Sequence, residues 1–143
     1  MKLQAHIPIS AAVSAVVYAV SRSPEMTVSC FLAGIFIDLD HFFDYFMSEG
    51  IKIDVKDFFH KCNNSLVKQY FLLLHSYEVV IVLAILSLLL KSPVMTGIFI
   101  GVTAHFTADV LIKPEYFMYY SFVYRASINF GKGRIIFRPK DEV

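Results

Sequence analysis

Apolar residues dominate four stretches of this 143-residue chain, and polar residues collect between them and after the last. A membrane-spanning helix needs about 20 mostly apolar residues, so each stretch is a candidate span. The strongest covers 70–90 and contains VVIVLAILSLLL. The next, 93–112, sets Gly97 and Gly101 at the small-xxx-small spacing that lets helices approach closely. A third, 27–47, is rich in aromatics and bears GIFIDLDHFFDYF in its second half. The weakest, 7–20, is rich in Ala and Ser and has the outline of a signal peptide, but Pro8 interrupts it and only Lys2 precedes it as a basic residue. The pattern predicts an all-α membrane protein: a single domain over 1–143, a bundle of four transmembrane helices, a loop over 48–69 and a tail over 113–143. In the loop, the alternation of IKIDVKDFF fits either a short strand or an amphipathic surface helix. In the tail, YFMYYSFVYR suits the aromatic belt of a membrane interface, and GKG between INF and RIIF reads as a hairpin turn. No internal repeat is apparent.

Composition agrees with a membrane location. The hydrophobic fraction is 57% and the mean hydropathy +0.60, against about 45–50% apolar residues in soluble domains. A net charge of +1 leaves no basic footprint for nucleic acid. Cys30 and Cys62 form neither a zinc-finger spacing nor a disulfide framework. GKG lacks the length and the following Ser or Thr of a phosphate loop. Four spans place the N-terminus, the loop and the tail on one side, and of the 13 lysines and arginines only Arg22 and Lys91 fall on the other. Cytoplasmic segments hold the excess of basic residues, so both termini are expected in the cytoplasm.

With that topology, the ionisable residues inside the spans converge. His6 opens the first span; Asp38, Asp40, His41 and Asp44 lie in the cytoplasmic half of the second. His75 and Glu78 fall at the start of the third, and His105 and Asp109 at the end of the fourth. His105 and Asp109 are four apart and His75 and Glu78 three apart, so each pair shares a helical face. At about 100° per residue, Asp38, Asp40, His41 and Asp44 spread over an arc of about 160°. Either the helix ends near Asp40 or some of the four support the others. A carboxylate in hydrocarbon costs at least about 2.5–3.5 kcal/mol, and no lysine or arginine lies within these spans to offset it. His and carboxylate donors without cysteine suit Zn²⁺, Mn²⁺ or Fe. So many donors would serve two ions about 3.5–4 Å apart well, the arrangement used in phosphoester hydrolysis. His60 and Asp44 have ordinary explanations, as a loop histidine and a helix-end aspartate.

His6, GIFIDLDH, LHSYE and GVTAHFTAD together resemble the bacterial family of membrane-bound metal-dependent hydrolases of the LexA-binding, inner-membrane-associated type. The resemblance covers roughly residues 1–112. It matches an N-terminal histidine to His6, a D-x-D-H box to Asp38, Asp40 and His41, a histidine opening the next long helix to His75, and a closing G-x-x-x-H-x-x-x-D to Gly101, His105 and Asp109. The H-R-G and T-H-S stretch that commonly precedes the third helix is only partly present: HSYE stands alone, with His60 well upstream. The resemblance implies an inner-membrane helical protein with some likeness to zinc-dependent phospholipase C, and a metal-dependent hydrolase activity.

The expected function is hydrolysis of a phosphoester, a lipid phosphate first, by metal-activated water at the cytoplasmic membrane face. Expected metal ligands are His6, Asp38, Asp40, His41, His75, His105 and Asp109; Glu78 or Asp40 would act as base, and Arg125 and Lys132 would hold an anionic head group. Membrane lipids are the expected partners. A metal-ion or proton transporter would use the same residue types but is expected to place its site at the bilayer midplane between repeats. A non-catalytic adaptor stapled by a structural metal is a third class.

Overall fold

A computed structural model describes residues 6–50, 54–63 and 71–130. All regular structure among the described residues is helical: α1 (His6–Ser21), α2 (Pro24–Phe36), a 3₁₀ turn (Ile37–Leu39), α3 (Asp40–Glu49), α4 (Val55–Asn63), α5 (Tyr77–Leu90), α6 (Pro93–Ile112), a second 3₁₀ segment (Pro114–Tyr120) and α7 (Phe122–Ser127). Two stretches are long and apolar enough to cross a membrane, Pro24–Met47 and Pro93–Ile112. Of the four expected spans, two therefore meet this test among the described residues. α1 has 16 residues and α5 has 14, giving lengths of about 24 and 21 Å at 1.5 Å per residue. The third expected span loses its first turns because 71–76 is not helical and α5 begins only at Tyr77. The IKIDVKDFF segment is a helix from Val55 onward, not a strand. Residues 128–130 form a turn, and the other arm of the expected hairpin lies outside the described residues, as does Lys132.

α2 and α6 form the centre of the bundle, with α1 against α2 and α5 against α6. Their approach depends on glycine. A methyl group on Gly101 would overlap the Cys30 carbonyl, and one on Gly97 would overlap the Met26 carbonyl and the Ser29 hydroxyl. Gly34 faces Ser10 of α1 in the same way.

The two helical hairpins are built alike, which corrects the expectation of no repeat. Ser23-Pro24-Glu25-Met26-Thr27 opens α2 and Ser92-Pro93-Val94-Met95-Thr96 opens α6. Each proline occupies the first turn, where its missing N–H costs nothing. The preceding basic residue is left-handed in both, at φ 54° for Arg22 and 48° for Lys91. Their N–H groups donate back to Tyr18 and Ser87 carbonyls at 3.0 and 3.1 Å, closing α1 and α5 in the same manner. Thr27 and Thr96 hydroxyls donate to the Ser23 and Ser92 carbonyls at 2.8 and 3.0 Å. At the same offset along the chain, His6 is matched by His75 and Asp40 by Asp109. α1 and α5 leave the end of the bundle where these residues lie, and α2 and α6 return to it.

α4 packs beside this end. Phe58 is 2% exposed, stacks on Phe42 at 4.0 Å and meets the Tyr45 ring edge-on. The Tyr45 hydroxyl donates to Asp57 at 2.8 Å, and Lys61 pairs with the same carboxylate at 3.0 Å. These two donors, the tyrosine first, hold the Asp57 carboxyl below the usual carboxylate range.

Two outcomes follow from this packing. Gly101→Ala is expected to lower stability by about 1–3 kcal/mol, the cost of overpacking, as a reduced unfolding midpoint in detergent; an unchanged midpoint would show that the helices separate freely. A folded-state pKa below the unfolded value near 3.9 means the Asp57 link contributes fully above about pH 4 and fades as pH falls through the lower folded value. Amide protection factors in α4, corrected for the intrinsic rate, should thus fall on acidification, and at neutral pH in Asp57→Asn, while α6 keeps its protection.

Candidate metal centre

The opening residue of α1, the 3₁₀ turn after α2, the segment before α5 and the last turns of α6 meet at one end of the bundle. The turn at Ile37–Leu39 resolves the arc seen in the sequence. Tightening to three residues per turn between α2 and α3 changes the phase of the residues that follow. Asp38 and His41 then face each other, His41 Nε2 lying 3.6 Å from Asp38 Oδ1. Asp40 and Asp44, one turn apart on α3, turn together toward 71–75.

At the centre, His75 Nε2 and His105 Nε2 are 3.2 Å apart. Asp38 Oδ1 lies 3.5 Å from the first and 3.3 Å from the second. Asp109 Oδ2 is 3.7 Å from both. These four residues are each at most 7% exposed. On the far oxygen of Asp109, His6 Nε2 sits at 3.3 Å, and the His6 ring stacks on His105 with centroids 3.7 Å apart. His41 flanks the opposite side and is the exposed member, at 21% of its side chain.

Supporting bonds place a proton on Nδ1 of both central histidines. His75 Nδ1 donates to Asp40 Oδ2 at 2.9 Å, and His105 Nδ1 donates to the Gly34 carbonyl at 2.7 Å. A neutral imidazole protonated at Nδ1 offers its lone pair at Nε2. With both rings neutral, two lone pairs face each other across 3.2 Å between two carboxylates, an arrangement that a proton or a metal cation between them relieves. Asp38 Oδ1 says the same: it is buried with three imidazole nitrogens at 3.3, 3.5 and 3.6 Å and no hydrogen bond. Five separations among the four central donors, 3.2–3.7 Å, lie close to the edges of about 3.3–3.6 Å of a tetrahedron with metal–ligand distances of 2.0–2.2 Å. Two carboxylates and two neutral imidazoles also balance a divalent charge. The residues fit a divalent metal, with His75, His105, Asp38 and Asp109 innermost and His6 and His41 on either flank. His6, His105 and Asp109, and likewise Asp38, His41 and His75, each bring ligand atoms within 4.8 Å of one another.

Other expected site residues have different work. Asp40 is not among the innermost donors: Oδ2 holds His75 Nδ1 and accepts the N–H groups of Leu74 and His75 at 3.1 and 3.3 Å. This is how a carboxylate orients a ligand histidine. Glu78, expected as a base, directs both oxygens to the Ser121 hydroxyl and the Phe122 and Val123 N–H groups, so it holds the start of α7. Arg125, expected to hold a head group, is 0% exposed with its guanidinium on backbone carbonyls, and no ligand reaches it. His60 is on the exposed face of α4. Asp44 accepts the Phe71 and Leu72 N–H groups at 2.8 and 3.3 Å. The Gly34 carbonyl was not foreseen, since a backbone acceptor leaves no mark in a sequence.

Comparison with family models, curated proteins and solved structures returns no match for this chain.

Removing a central donor and removing an orienting one should differ. His105→Ala is expected to weaken divalent-metal binding far more than Asp40→Asn, which should lose about 10–100-fold, the usual effect of losing an outer partner. Metal content and competition titrations on purified protein separate the two; equal total loss in both would make Asp40 a direct ligand.

Proposed function

We propose that this chain is a membrane-bound metal-dependent hydrolase that acts on a phosphoester, a lipid phosphate being the first substrate to try. The observation behind the reading is the pair of facing Nε2 atoms, 3.2 Å apart, with Asp38 and Asp109 around them. A divalent ion held there, Zn²⁺ by donor type with Mn²⁺ or Fe as alternatives, supplies Lewis-acid stabilisation of phosphoryl oxygens and lowers the pKa of a water towards about 7. The chain's own residues do the rest. Asp40 and the Gly34 carbonyl hold His75 and His105 with Nε2 inward. His41, partly exposed, is the group placed to exchange a proton with bulk water. His6, beside His105, is buried as well.

A membrane location is supported by the two long apolar helices and by outward-facing Val20, Leu88 and Leu111, which are 82%, 75% and 75% exposed. The excess of basic residues on one side supports a cytoplasmic site opening on an anionic leaflet. A position at one end of the bundle favours a hydrolase over a transporter, whose site is expected at the midplane. The matched hairpins are a feature that a transporter would share.

A second reading has its own observation: four protein donors complete a tetrahedron, as in structural zinc sites. One experiment separates the readings. Metal-loaded protein in mixed micelles is given phosphatidic acid and p-nitrophenyl phosphate, beside His105→Ala and an apo sample prepared with chelator. Phosphate release by the loaded wild type alone, restored to the apo sample by metal, is the expected result. A saturated metal site with no hydrolysis and a lower melting temperature on chelation would identify a structural ion instead.

A further inference from the structure

The segment that delivers His75 has no regular structure, yet it is held at almost every backbone group. Asp44 accepts the N–H groups of Phe71 and Leu72, and Asp40 those of Leu74 and His75. From the other side, Arg125 Nη2 donates to the Leu72 carbonyl at 2.9 Å and the Ser76 hydroxyl at 3.0 Å. Arg125 Nη1 donates to the His75 carbonyl at 3.3 Å and to that of Tyr119. Leu72 is left-handed at φ 42°, and the turn it makes closes with a 3.1 Å bond from the His75 N–H to its carbonyl. A leucine keeps that conformation only where its surroundings over-determine it. Here its N–H is fixed by Asp44 and its carbonyl by Arg125.

Arg125 is itself placed from a distance. It sits on α7, whose first residues Ser121, Phe122 and Val123 all donate to Glu78, two residues after the clamped segment. A planar fork with five donors suits this task, because it satisfies several carbonyls at fixed angles where an ammonium would satisfy them as a point. Burying a guanidinium with no carboxylate among the described residues in direct contact is costly, and an apolar side chain would pack there without that cost.

We infer that Arg125 is a positioning residue of the metal centre: anchored through α7 by Glu78, it locks the segment 71–76 against Asp40 and Asp44 and so aims His75 Nε2 at the central donors. The inference rests on the metal-site reading and adds to it a role for the tail. The tail then acts on the site through the backbone of His75 and not through substrate.

The test uses Co²⁺ as the probe, read by its ligand-field absorption and by competition titration, on the full chain in detergent. Wild type, Arg125→Gln, Arg125→Lys, His75→Ala and the double variant His75→Ala with Arg125→Gln are compared at equal helix content. Arg125→Gln is expected to weaken Co²⁺ binding about 10-fold and alter the absorption band, with Arg125→Lys intermediate. In the His75→Ala background the same substitution should change affinity less than twofold, because the path runs through His75. Wild-type affinity in folded Arg125→Gln, or an equal loss with and without His75, would overturn the inference and leave the metal site standing. No saturable Co²⁺ binding by wild type would remove the metal-site reading and this inference with it. Where Arg125→Gln does not fold, Glu78→Gln keeps the buried cation and loosens only the anchor of α7. It should lower affinity several-fold in a His75-dependent manner, and wild-type affinity there overturns the inference.

Discussion

Two imidazole nitrogens 3.2 Å apart between two buried carboxylates are a demand for positive charge. In this chain two histidines are held in that opposition by bonds on their far nitrogens, and two carboxylates close around them. Neither imidazole can turn away, since each is buried and tied. The rest of the architecture can be understood as the means of keeping that opposition in place: glycines that bring α2 and α6 together so that Gly34 can reach His105, and a clamped segment that carries His75 across. A desolvated anion pair is unfavourable in a low dielectric, so a bound cation would lower the free energy of the folded state as well as the charge of the site.

The matched hairpins put the site into a simple geometric frame. Each hairpin opens with a histidine and closes near an aspartate, and the contacts cross between them: His6 with Asp109 at 3.3 Å, His75 with Asp40 at 2.9 Å. The two crossed pairs are not equivalent. Asp40 meets the outer nitrogen of His75 and stays an orienting group, whereas Asp109 turns its second oxygen to the centre and becomes a donor. A near-symmetric scaffold has thus acquired an asymmetric site, through the 3₁₀ turn present at the end of α2 and absent from α6.

Much of this was legible in the order of residues. The convergence of His6, Asp38, His41, His75, His105 and Asp109 followed from the direction of each apolar run, because helices that alternate in direction bring their polar ends to the same depth. The shared turn was legible too and passed unnoticed: SPEMT and SPVMT, each after a basic residue, stand in the sequence. Not legible was the start of α5. LLLHSY has the apolar character of a span, and only the carboxylates of Asp40 and Asp44 and the guanidinium of Arg125, all remote in sequence, stabilise it as an open segment.

The sequence by itself determined where apolar helices run, which turns join them and which donor types gather at one end, for these depend on residue periodicity and on local turn chemistry. Only the tertiary structure decided what each donor does. Asp38 and Asp40 are two positions apart and chemically identical, yet one faces the central histidines and the other orients one of them. Arg125 looks like a head-group ligand beside its tyrosines and is instead sealed inside the fold. Those assignments depend on contacts between residues 35 to 67 positions apart, and no periodicity within a helix encodes a partner at that separation.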